Sequence, residues 1–342
     1  MTMTQDICRI GVVGGGSWGT ALANLLAVKG YVVDWWLFEP ELCRLIQEKR
    51  ENTFFLPGIT LPENLRPNND LDAVVREKDL VLIVVPSHVM RAVTRGMDGK
   101  MNRDVIVVSA SKGIENDTLL TMSGVLRETL GDLGPERLAV LSGPSFAVEV
   151  ARSVPTVVTV ASKDLTCAQK VQQVFATPSF RVYTNDDIVG VELGGAVKNV
   201  IAIAAGMVDG LGLGLNTRAA LITRGLAEIS RLGRAMGANP RTMGGTAGLG
   251  DLVLTCTGDL SRNHTVGKKI GQGMKLDEVL TEMRMVAEGV KTARSVYNLS
   301  LRLDVEMPIS HAVYHILYSG LSPKEAVCQL MTRDLKNELD EA

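Results

Sequence analysis

A glycine-rich turn near the amino terminus constrains the fold of this chain more than any other feature. The run Ile7–Val13 has the β-branched, apolar character of a strand, and Ala21–Val28 has the composition of a helix. Between them stand three glycines in GxGxxG spacing, at Gly14, Gly16 and Gly19. In this context the first glycine permits a tight turn, the second lets the backbone approach a pyrophosphate, and the third lets the helix pack closely on the strand. A ligand-free turn is the alternative, but the agreement of strand, glycines and helix favours a dinucleotide site lined by Ser17 and Trp18.

The first half of the sequence has the pattern of an α/β protein. Up to about Tyr183, short β-branched runs alternate with longer amphipathic segments, which is typical of βα units around a mostly parallel sheet. Apolar continuity, as in Asp79–Pro86, predicts strands that helices cover on both faces, and therefore a doubly wound sheet. The predicted strands are Ile7–Val13, Val32–Phe38, Leu80–Val85, Val105–Ser109, Leu138–Leu141, Thr156–Val160 and Arg181–Tyr183.

The second half has the pattern of an all-helical domain. After about Asp187 the strand-like runs stop, and Ala, Leu, Met and Ile recur at helical spacing through Ala342. Glycine-rich pieces at Gly210–Gly214 and Gly244–Gly250 are predicted to be turns between helices, because neither follows a strand. A chain of 342 residues is also long for a single core. We therefore predict a Rossmann-type dinucleotide-binding domain over residues 1–187 and a helical substrate-binding and catalytic domain over residues 188–342.

Composition argues against several classes of protein. With 36 Lys plus Arg against 38 Asp plus Glu, the chain has no global basic field of the kind that nucleic-acid-binding proteins use. The cysteines form no CxxC pair, and the amino terminus lacks the basic start and apolar core of a secretory signal, so we expect a cytoplasmic protein. The most apolar stretch, Leu193–Val208, is interrupted by Lys198 and is shorter than the roughly 20 residues of a membrane-spanning helix. No membrane partner is expected.

The end of the second predicted strand bears on the choice of cofactor. Glu39 follows Phe38 about 20 residues beyond the glycines, where a carboxylate binds the ribose of NAD and repels the 2′-phosphate of NADP. Arg44 lies one turn further along and could soften this discrimination. A solvent-exposed acid that faces the dipole of the following helix explains Glu39 nearly as well.

Two lysines are candidate catalytic residues. Lys198 interrupts an otherwise apolar helix, and a desolvated lysine near other cations can act as a general base at neutral pH. Snorkelling of Lys198 to the surface explains the spacing equally well. Lys112 follows the strand that ends at Ser109, and open α/β sheets bind ligands at the carboxyl ends of their strands. The segment Ser142–Ala147 occupies the same position after the next strand, although it could be only a turn.

Two further pairs of residues are candidate sites. Asp251 and Arg262 lie about ten residues apart, and the fork of a guanidinium suits a phosphate, but a surface ion pair is the simpler explanation. His311 and His315 could share a helix face, but HAVYH lacks the glutamate of HExxH and no third ligand is evident. We therefore predict no metal site, which disfavours a metal-dependent alcohol dehydrogenase.

Taken together, these segments resemble the soluble, nicotinamide-dependent glycerol-3-phosphate dehydrogenases of bacterial type. The likeness runs in order along most of the chain, through GGGSWGTALA, FLPGI, SASKGIE, LSGPSFAVEVA, ELGGAVKN, GLGDLVLTC, SRNHTVG and VAEGVKTA. Several motifs in a fixed order are far more specific than GxGxxG alone. The resemblance implies interconversion of sn-glycerol 3-phosphate and dihydroxyacetone phosphate with NAD(P), which supplies glycerol 3-phosphate for phospholipid synthesis. It also implies a homodimer.

The resemblance further implies roles for individual residues. Lys198 would accept the proton of the substrate hydroxyl, Lys112 would help it act as a base, and Asp251 would orient it. Arg262 would hold the phosphate. The expected substrate contacts are Lys112, Gly143, Ser145, Lys198, Asp251, Ser261, Arg262 and Asn263. With the glycine-loop and second-strand positions included, the expected cofactor contacts are Gly14, Gly16, Ser17, Trp18, Gly19, Phe38, Glu39, Lys112, Ala147, Arg262, Val286 and Glu288.

One position departs from the usual bacterial pattern. A basic or polar residue commonly precedes the acid after the second strand, whereas this chain has Phe38 before Glu39, as in the NAD-linked eukaryotic branch. We therefore expect NAD to be preferred, with NADP possible.

Two rival functions stay open. One is a different two-domain hydroxyacid dehydrogenase, such as a 6-phosphogluconate type, against which the SRN and GPS segments argue. The other is a non-catalytic NAD-sensing regulator, for which no basic helix-turn-helix pattern is found.

Overall fold

The computed structural model describes residues 7–283 and 287–338. The strands are β1 (Arg9–Val13), β2 (Val32–Trp36), β3 (Leu65–Asn68), β4 (Leu80–Ile83), β5 (Ile106–Ser109), β6 (Leu138–Ser142), β7 (Thr156–Ser162) and β8 (Phe180–Asn185). The helices among them are α1 (Ser17–Val28), α2 (Pro40–Lys49), α3 (Leu71–Val75), α4 (Met90–Arg95), α5 (Met122–Thr129), α6 (Ala147–Ala151) and α7 (Leu165–Phe175). The helices that follow are α8 (Ile188–Gly210), α9 (Gly214–Ala235), α10 (Pro240–Met243), α11 (Asp251–Thr257), α12 (Arg262–Gly271), α13 (Leu276–Glu282), α14 (Glu288–Leu303), α15 (Pro308–Ser319) and α16 (Pro323–Met331).

The eight described strands form one sheet in the order β3-β2-β1-β4-β5-β6-β7-β8. Neighbouring strands are parallel except that β7 runs antiparallel to β6. The chain winds from β1 to one edge and then returns to β4 on the other side of β1, so the direction of winding reverses between β1 and β4. In doubly wound sheets, ligands bind in the crevice beyond the carboxyl ends of the strands at such a reversal. The prediction of a Rossmann-type sheet followed by a helical region is confirmed.

The central strands are buried because helices cover both faces of the sheet. Every residue of β4 and of β5 is buried, which explains why these segments read as continuous apolar runs rather than alternating ones. Helix α1 packs against α6, and most of its residues are buried. An Ala- and Leu-rich helix with no charged residue is suited to such a position, because it buries no unpaired charge.

One strand of the sheet was not predicted. The segment Leu65–Asn68 pairs with β2 at the edge of the sheet, where Pro67 stands opposite Trp35. Proline has no N–H to donate to a neighbouring strand, and Pro67 and the exposed Arg66 interrupt the β-branched pattern on which the prediction relied. An edge strand tolerates both residues. The other seven strands are present, each with its ends within two residues of the prediction.

The chain forms two compact units. The first contains the residues up to Lys112 together with Met122–Ile188, and the second contains Gly113–Thr121 together with the residues from Val189 onward. Ile114 lies in the hydrophobic core of the second unit. The division of the chain into domains between residues 187 and 188 stays a prediction.

Helix α8 lies in the core of the second unit. It is long and apolar enough, by length and composition, to cross a membrane, but 94% of its apolar window is buried inside the protein. Its side chains pack with those of α14, including Ala293 and Val296. A mostly buried apolar helix is what the core of a helical unit requires, so its apolar character needs no lipid to explain it.

One of the two glycine-rich pieces is more than the predicted turn. Residues Thr246–Gly250 form a turn of π-helix that continues directly into α11. The glycine at 248 is required there, because a Cβ would lie 2.2 Å from the carbonyl oxygen of Met243. The other piece, Gly210–Gly214, connects α8 to α9 as a turn, as predicted.

Candidate active site

The glycine-rich loop joins β1 to α1 at the point where the strand order reverses. Gly14 has a φ of +127°, and a Cβ there would lie 2.5 Å from the carbonyl oxygen of Val84. A Cβ at Gly19 would lie 2.2 Å from the carbonyl oxygen of Gly14, so α1 could not pack as closely with any other residue. At Gly16 a Cβ would meet no described atom within 4 Å, so that side of the loop is open. A tight turn, close packing and an open backbone face are what a dinucleotide pyrophosphate requires.

The start of α1 also fits a dinucleotide. Among the described residues, the indole Nε1 of Trp18 is buried and has no acceptor. A buried donor without a partner is costly, and an acceptor on a bound ligand would remove that cost. The first turn of a helix has N–H groups without intrahelical acceptors, and its dipole favours an anion. A nicotinamide dinucleotide supplies both the acceptors and the negative charge.

Phe38 and Glu39 lie at the end of the second strand, as predicted. The side chain of Phe38 is 73% exposed and meets Trp36 edge to face, with ring centroids 6.0 Å apart. Glu39 is the N-cap residue of α2, but its exposed carboxylate makes no capping hydrogen bond. The carboxylate is therefore not committed to capping the helix, and it can bind a ribose.

The ends of β5 and β6 bring together residues predicted to bind substrate and cofactor. Lys112 Nζ donates a hydrogen bond of 3.4 Å to the carbonyl oxygen of Gly143, and Ser145 Oγ donates to the same oxygen at 2.9 Å. Gly143 has a φ of +148° and passes so close to β7 that a Cβ would lie 2.9 Å from Val158 Cα. Ala147 begins α6 immediately after this turn.

Lys198 is buried in the second unit and does not snorkel to the surface. Only 6% of the residue is exposed, and its Nζ forms an ion pair with Oδ1 of Asp251. The same Nζ donates a hydrogen bond of 2.8 Å to Thr255 Oγ1, which itself donates to the backbone carbonyl of Asp251. Asp251 is 1% exposed. A lysine and a carboxylate are thus held together out of water, with a threonine hydroxyl fixing their geometry.

Two backbone features bring this pair together. Gly194 lies one turn before Lys198 on α8, and a Cβ there would be 2.4 Å from the carbonyl oxygen of Ala247 in the π-helical turn. The π-helical turn runs into α11, whose first residue is Asp251. Close approach at Gly194 therefore places the start of α11 beside the next turn of α8. Single turns of π-helix occur frequently at functional sites.

The electrostatics of the pair depend on its burial. A buried ion pair loses hydration on both sides, and removing one partner leaves an uncompensated charge at a cost of about 3–5 kcal/mol. The neighbouring Cys256 adds no charge, because burial raises the pKa of its thiol to about 12. The Cys256 thiol therefore stays neutral beside the ion pair of Lys198 and Asp251.

The start of α12 carries the residues predicted to bind the phosphate. Ser261 is the N-cap residue, and its Oγ accepts a hydrogen bond of 3.2 Å from the backbone N–H of His264. Arg262 is exposed, and within residues 7–283 and 287–338 it forms no ion pair; Asp251 pairs with Lys198 instead. The simpler explanation of Arg262, a surface ion pair with Asp251, is therefore wrong.

Neighbouring helices hold the first turn of α12 in place. Asn263 Oδ1 accepts a hydrogen bond of 3.0 Å from the backbone N–H of Gly289, which ties α12 to α14. Asp209 Oδ2 lies 2.9 Å from His264 Nε2 and 2.9 Å from Arg218 Nη1, which ties α12 to α8 and α9. The exposed Arg262 guanidinium therefore extends from a well-fixed backbone.

One predicted cofactor contact lies at the start of α14. Glu288 is the first residue of that helix, where a carboxylate is favoured by the helix dipole. Val286 lies outside the described residues.

Sequence reasoning missed Thr255. A signal was available, because Thr255 follows Asp251 by four residues and so lies on the same face of a helix. Its contact with Lys198 depends on how two distant helices pack, which spacing does not show.

In the described part of the chain, no three His, Cys, Asp or Glu side chains are grouped so as to hold a metal ion.

Comparison with known proteins gives a consistent result. The family model for the N-terminus of NAD-dependent glycerol-3-phosphate dehydrogenase matches residues 9–168, and the model for the C-terminus matches residues 187–328. A curated glycerol-3-phosphate dehydrogenase (NAD(P)+) from Syntrophobacter fumaroxidans is 58% identical over 331 residues, 97% of each chain. One from Geobacter sulfurreducens is 58% identical over 330 residues, 96% of this chain and 98% of the relative.

Solved structures agree with the sequence comparison. The crystal structure of glycerol-3-phosphate dehydrogenase from Coxiella burnetii is similar with a TM-score of 0.92 at 40% identity, covering 96% of this chain and 99% of that chain. The enzyme from Saccharomyces cerevisiae is similar with a TM-score of 0.82 at 30% identity, covering 95% and 99%.

Proposed function

The chain belongs to the NAD-dependent glycerol-3-phosphate dehydrogenase family, and we propose that Lys198 is the residue that accepts the proton in its reaction. The enzyme interconverts sn-glycerol 3-phosphate and dihydroxyacetone phosphate with NAD(P), a reaction that supplies glycerol 3-phosphate for phospholipid synthesis. The observation that carries the proposal is the buried contact of Lys198 with Asp251 and Thr255.

The proton step follows from the chemistry of these side chains. A nicotinamide dinucleotide held at the glycine loop of Gly14, Gly16 and Gly19 would supply the hydride acceptor for C2 of glycerol 3-phosphate. Lys198 accepts the proton of the C2 hydroxyl, and in the reverse direction the protonated lysine returns it to the carbonyl oxygen. Asp251 stabilises the ammonium form, and Thr255 keeps the Nζ atom in place through both steps.

The substrate phosphate needs a cation outside the buried pair. Arg262 supplies it, because its guanidinium is exposed, has no ion-pair partner among the described residues, and can donate two parallel hydrogen bonds to phosphate oxygens. We assign the remaining substrate contacts to Lys112, Gly143, Ser145, Ser261 and Asn263. In this assignment Ser261 contributes while its hydroxyl also caps α12.

The cofactor assignment rests on the glycine loop and on the end of β2. The exposed Glu39 carboxylate favours a ribose with a free 2′-hydroxyl, so NAD is preferred over NADP. A homodimer and a cytoplasmic location complete the proposal. Family membership supports both the location and the dimer.

The experiment that tests the proposal separates chemistry from cofactor binding. Lys198→Ala should lower kcat by roughly two to four orders of magnitude, the usual contribution of a positioned acid or base, and leave the Kd of NADH within about twofold. Lys268→Ala, which changes an exposed lysine of α12, should leave both quantities unchanged. If Lys198→Ala does not fold, the double variant Lys198→Met with Asp251→Asn leaves no buried charge unpaired and should show the same loss of kcat. Unchanged turnover in a folded variant would overturn the assignment.

The rival functions differ from this one in a substrate panel. A 6-phosphogluconate-type enzyme would oxidise that acid and ignore glycerol 3-phosphate. A non-catalytic sensor would bind NADH and turn over neither substrate.

A further inference from the structure

The carbonyl groups of the glycine loop are all bound from inside the first unit. The hydrogen bonds run from Trp35 Nε1 to Gly14 O at 2.9 Å, from Asn52 Nδ2 to Gly15 O at 3.0 Å and from Thr20 Oγ1 to Gly16 O at 2.8 Å. The three donor residues are completely buried. A loop at a ligand site is thus held by side chains that the ligand does not reach.

This arrangement sets the direction of the loop amides. The C=O and N–H groups of a trans peptide point in opposite directions, so fixing a carbonyl inward turns the N–H that shares its peptide outward. Outward N–H groups at the start of a helix are the groups that bind a pyrophosphate. The inward hydrogen bonds therefore prepare the loop before a dinucleotide arrives.

Both backbone polar groups of Gly14 are hydrogen-bonded to residues of β2. Its N–H donates to the carbonyl oxygen of Trp36 at 3.1 Å, and its own carbonyl accepts from the indole of Trp35. Its φ of +127° lies in the region that only glycine adopts easily, where the chain without support would populate other conformations as well. Strand β2 thus fixes both polar groups of the first glycine.

The two tryptophans of β2 donate hydrogen bonds to different parts of the first unit. Successive residues of a strand point to opposite faces, and the indole of Trp36 donates instead to the carbonyl oxygen of Asn69, at 3.2 Å. Both indoles are buried and both make one hydrogen bond to a backbone carbonyl, but only that of Trp35 bonds to the glycine loop.

We propose that Trp35 is a positioning residue for the dinucleotide loop. Its indole N–H fixes the carbonyl of Gly14, and this orients the loop amides for the pyrophosphate. The inference takes from the proposed function only that the ligand of the loop is a nicotinamide dinucleotide. Loss of the bond lowers affinity because the ligand must then order a looser loop.

A matched pair of variants tests this. Trp35→Phe and Trp36→Phe each keep an aromatic ring and remove one indole donor, and phenylalanine at position 36 can retain the edge contact with Phe38. With calorimetric titration of NADH in the absence of substrate, Trp35→Phe should raise Kd roughly fivefold to tenfold, the usual worth of one hydrogen bond, while Trp36→Phe leaves it unchanged. In the unliganded protein, Trp35→Phe should also speed hydrogen exchange of the Gly14 and Thr20 amides, whose N–H groups are hydrogen-bonded to backbone carbonyls, and Trp36→Phe should not.

The outcomes distinguish a positioning role from a purely structural one. Equal changes in Kd for both variants, or no change for either, would overturn the proposal, because a general loss of core stability affects both alike. If Trp35→Phe does not fold, the wild-type protein still gives a test: NADH should slow exchange of the Trp35 indole proton and leave that of Trp36 unchanged, and no change at Trp35 would overturn the proposal. Failure of the proposed function would appear separately, as wild-type protein that binds NADH without turning over dihydroxyacetone phosphate.

Discussion

The two units present their functional groups in different ways. In the first unit the ligand-facing groups belong to the backbone of the glycine loop, and buried neutral side chains such as Trp35 and Asn52 hold that backbone from behind. In the second unit the candidate catalytic groups are charged side chains on helices, and Lys198 and Asp251 are themselves buried. A backbone site needs no buried charge, whereas a site made of buried charges carries a desolvation cost. Sensitivity to pH and to single substitutions should therefore concentrate in the second unit.

The largest expected effect on stability concerns Glu228, a buried carboxyl of α9. It accepts hydrogen bonds from the backbone N–H groups of Ile309 and Ser310 and from the Ser310 hydroxyl at the start of α15. Burial outweighs these donors and the nearby Arg231, and raises the pKa of Glu228 from 4.5 to about 7. The folded state therefore holds the proton more tightly than the unfolded state, so the contribution of this carboxyl to stability is largest below pH 4.5 and falls as pH rises to about 7. The expected loss is about 3 kcal/mol of unfolding free energy.

Urea unfolding at several pH values checks this prediction. As pH rises from about 4.5 to 7, the unfolding free energy of the wild type should fall relative to that of Glu228→Gln, because glutamine does not titrate. Parallel pH profiles for the two proteins would show that the carboxyl keeps its ordinary pKa despite its burial.

The next effect concerns the phosphate. Arg262→Ala should raise the KM for dihydroxyacetone phosphate roughly tenfold to a hundredfold, through loss of charge-assisted hydrogen bonds, with little change in the Kd of NADH. Steady-state kinetics at saturating NADH measures this. Arg241→Ala, at an exposed arginine of α10, is the control and should leave KM unchanged. An unaltered KM in Arg262→Ala would place the phosphate elsewhere.

The smallest effect concerns Thr255. Thr255 and Thr257 lie on α11, and each hydroxyl donates to the carbonyl four residues earlier, at 2.6 Å and 2.8 Å. Only Thr255 also accepts a hydrogen bond from Lys198. Thr255→Val should therefore lower kcat about threefold to tenfold while Thr257→Val leaves it unchanged, with KM for the substrate nearly constant in both. Equal turnover in the two variants would mean that Thr255 does not position the lysine.

The contrast between the units also explains what the sequence could and could not predict. The glycine loop was predicted from local spacing, because its requirements are backbone conformation and close packing, which leave glycines in the sequence. The strand Leu65–Asn68 was missed because an edge strand tolerates proline and charge. Trp35 carried no signal, since a large apolar residue in a buried strand is expected for packing alone.

The ion pair of Lys198 and Asp251 shows a different limit of sequence-based prediction. Lys198 and Asp251 are 53 residues apart, and periodicity alone could not distinguish a buried lysine from one that snorkels. Their contact depends on the close approach of α8 to a π-helical turn at Gly194, a tertiary feature that spacing does not encode. From the sequence, only the resemblance of several ordered motifs to one family predicted that Asp251 contacts Lys198.

Absorbance of the reduced nicotinamide, followed with dihydroxyacetone phosphate as oxidant and with NADH and NADPH in parallel at equal concentrations, tests most directly what this protein does. We expect rapid loss of absorbance with NADH and slower loss with NADPH, because the Glu39 carboxylate disfavours a 2′-phosphate. Equal rates with the two cofactors would remove Glu39 from the choice of cofactor. No loss with either, from folded protein that still binds the dinucleotide, would contradict the assigned reaction and favour another phosphorylated hydroxyacid or a sensor.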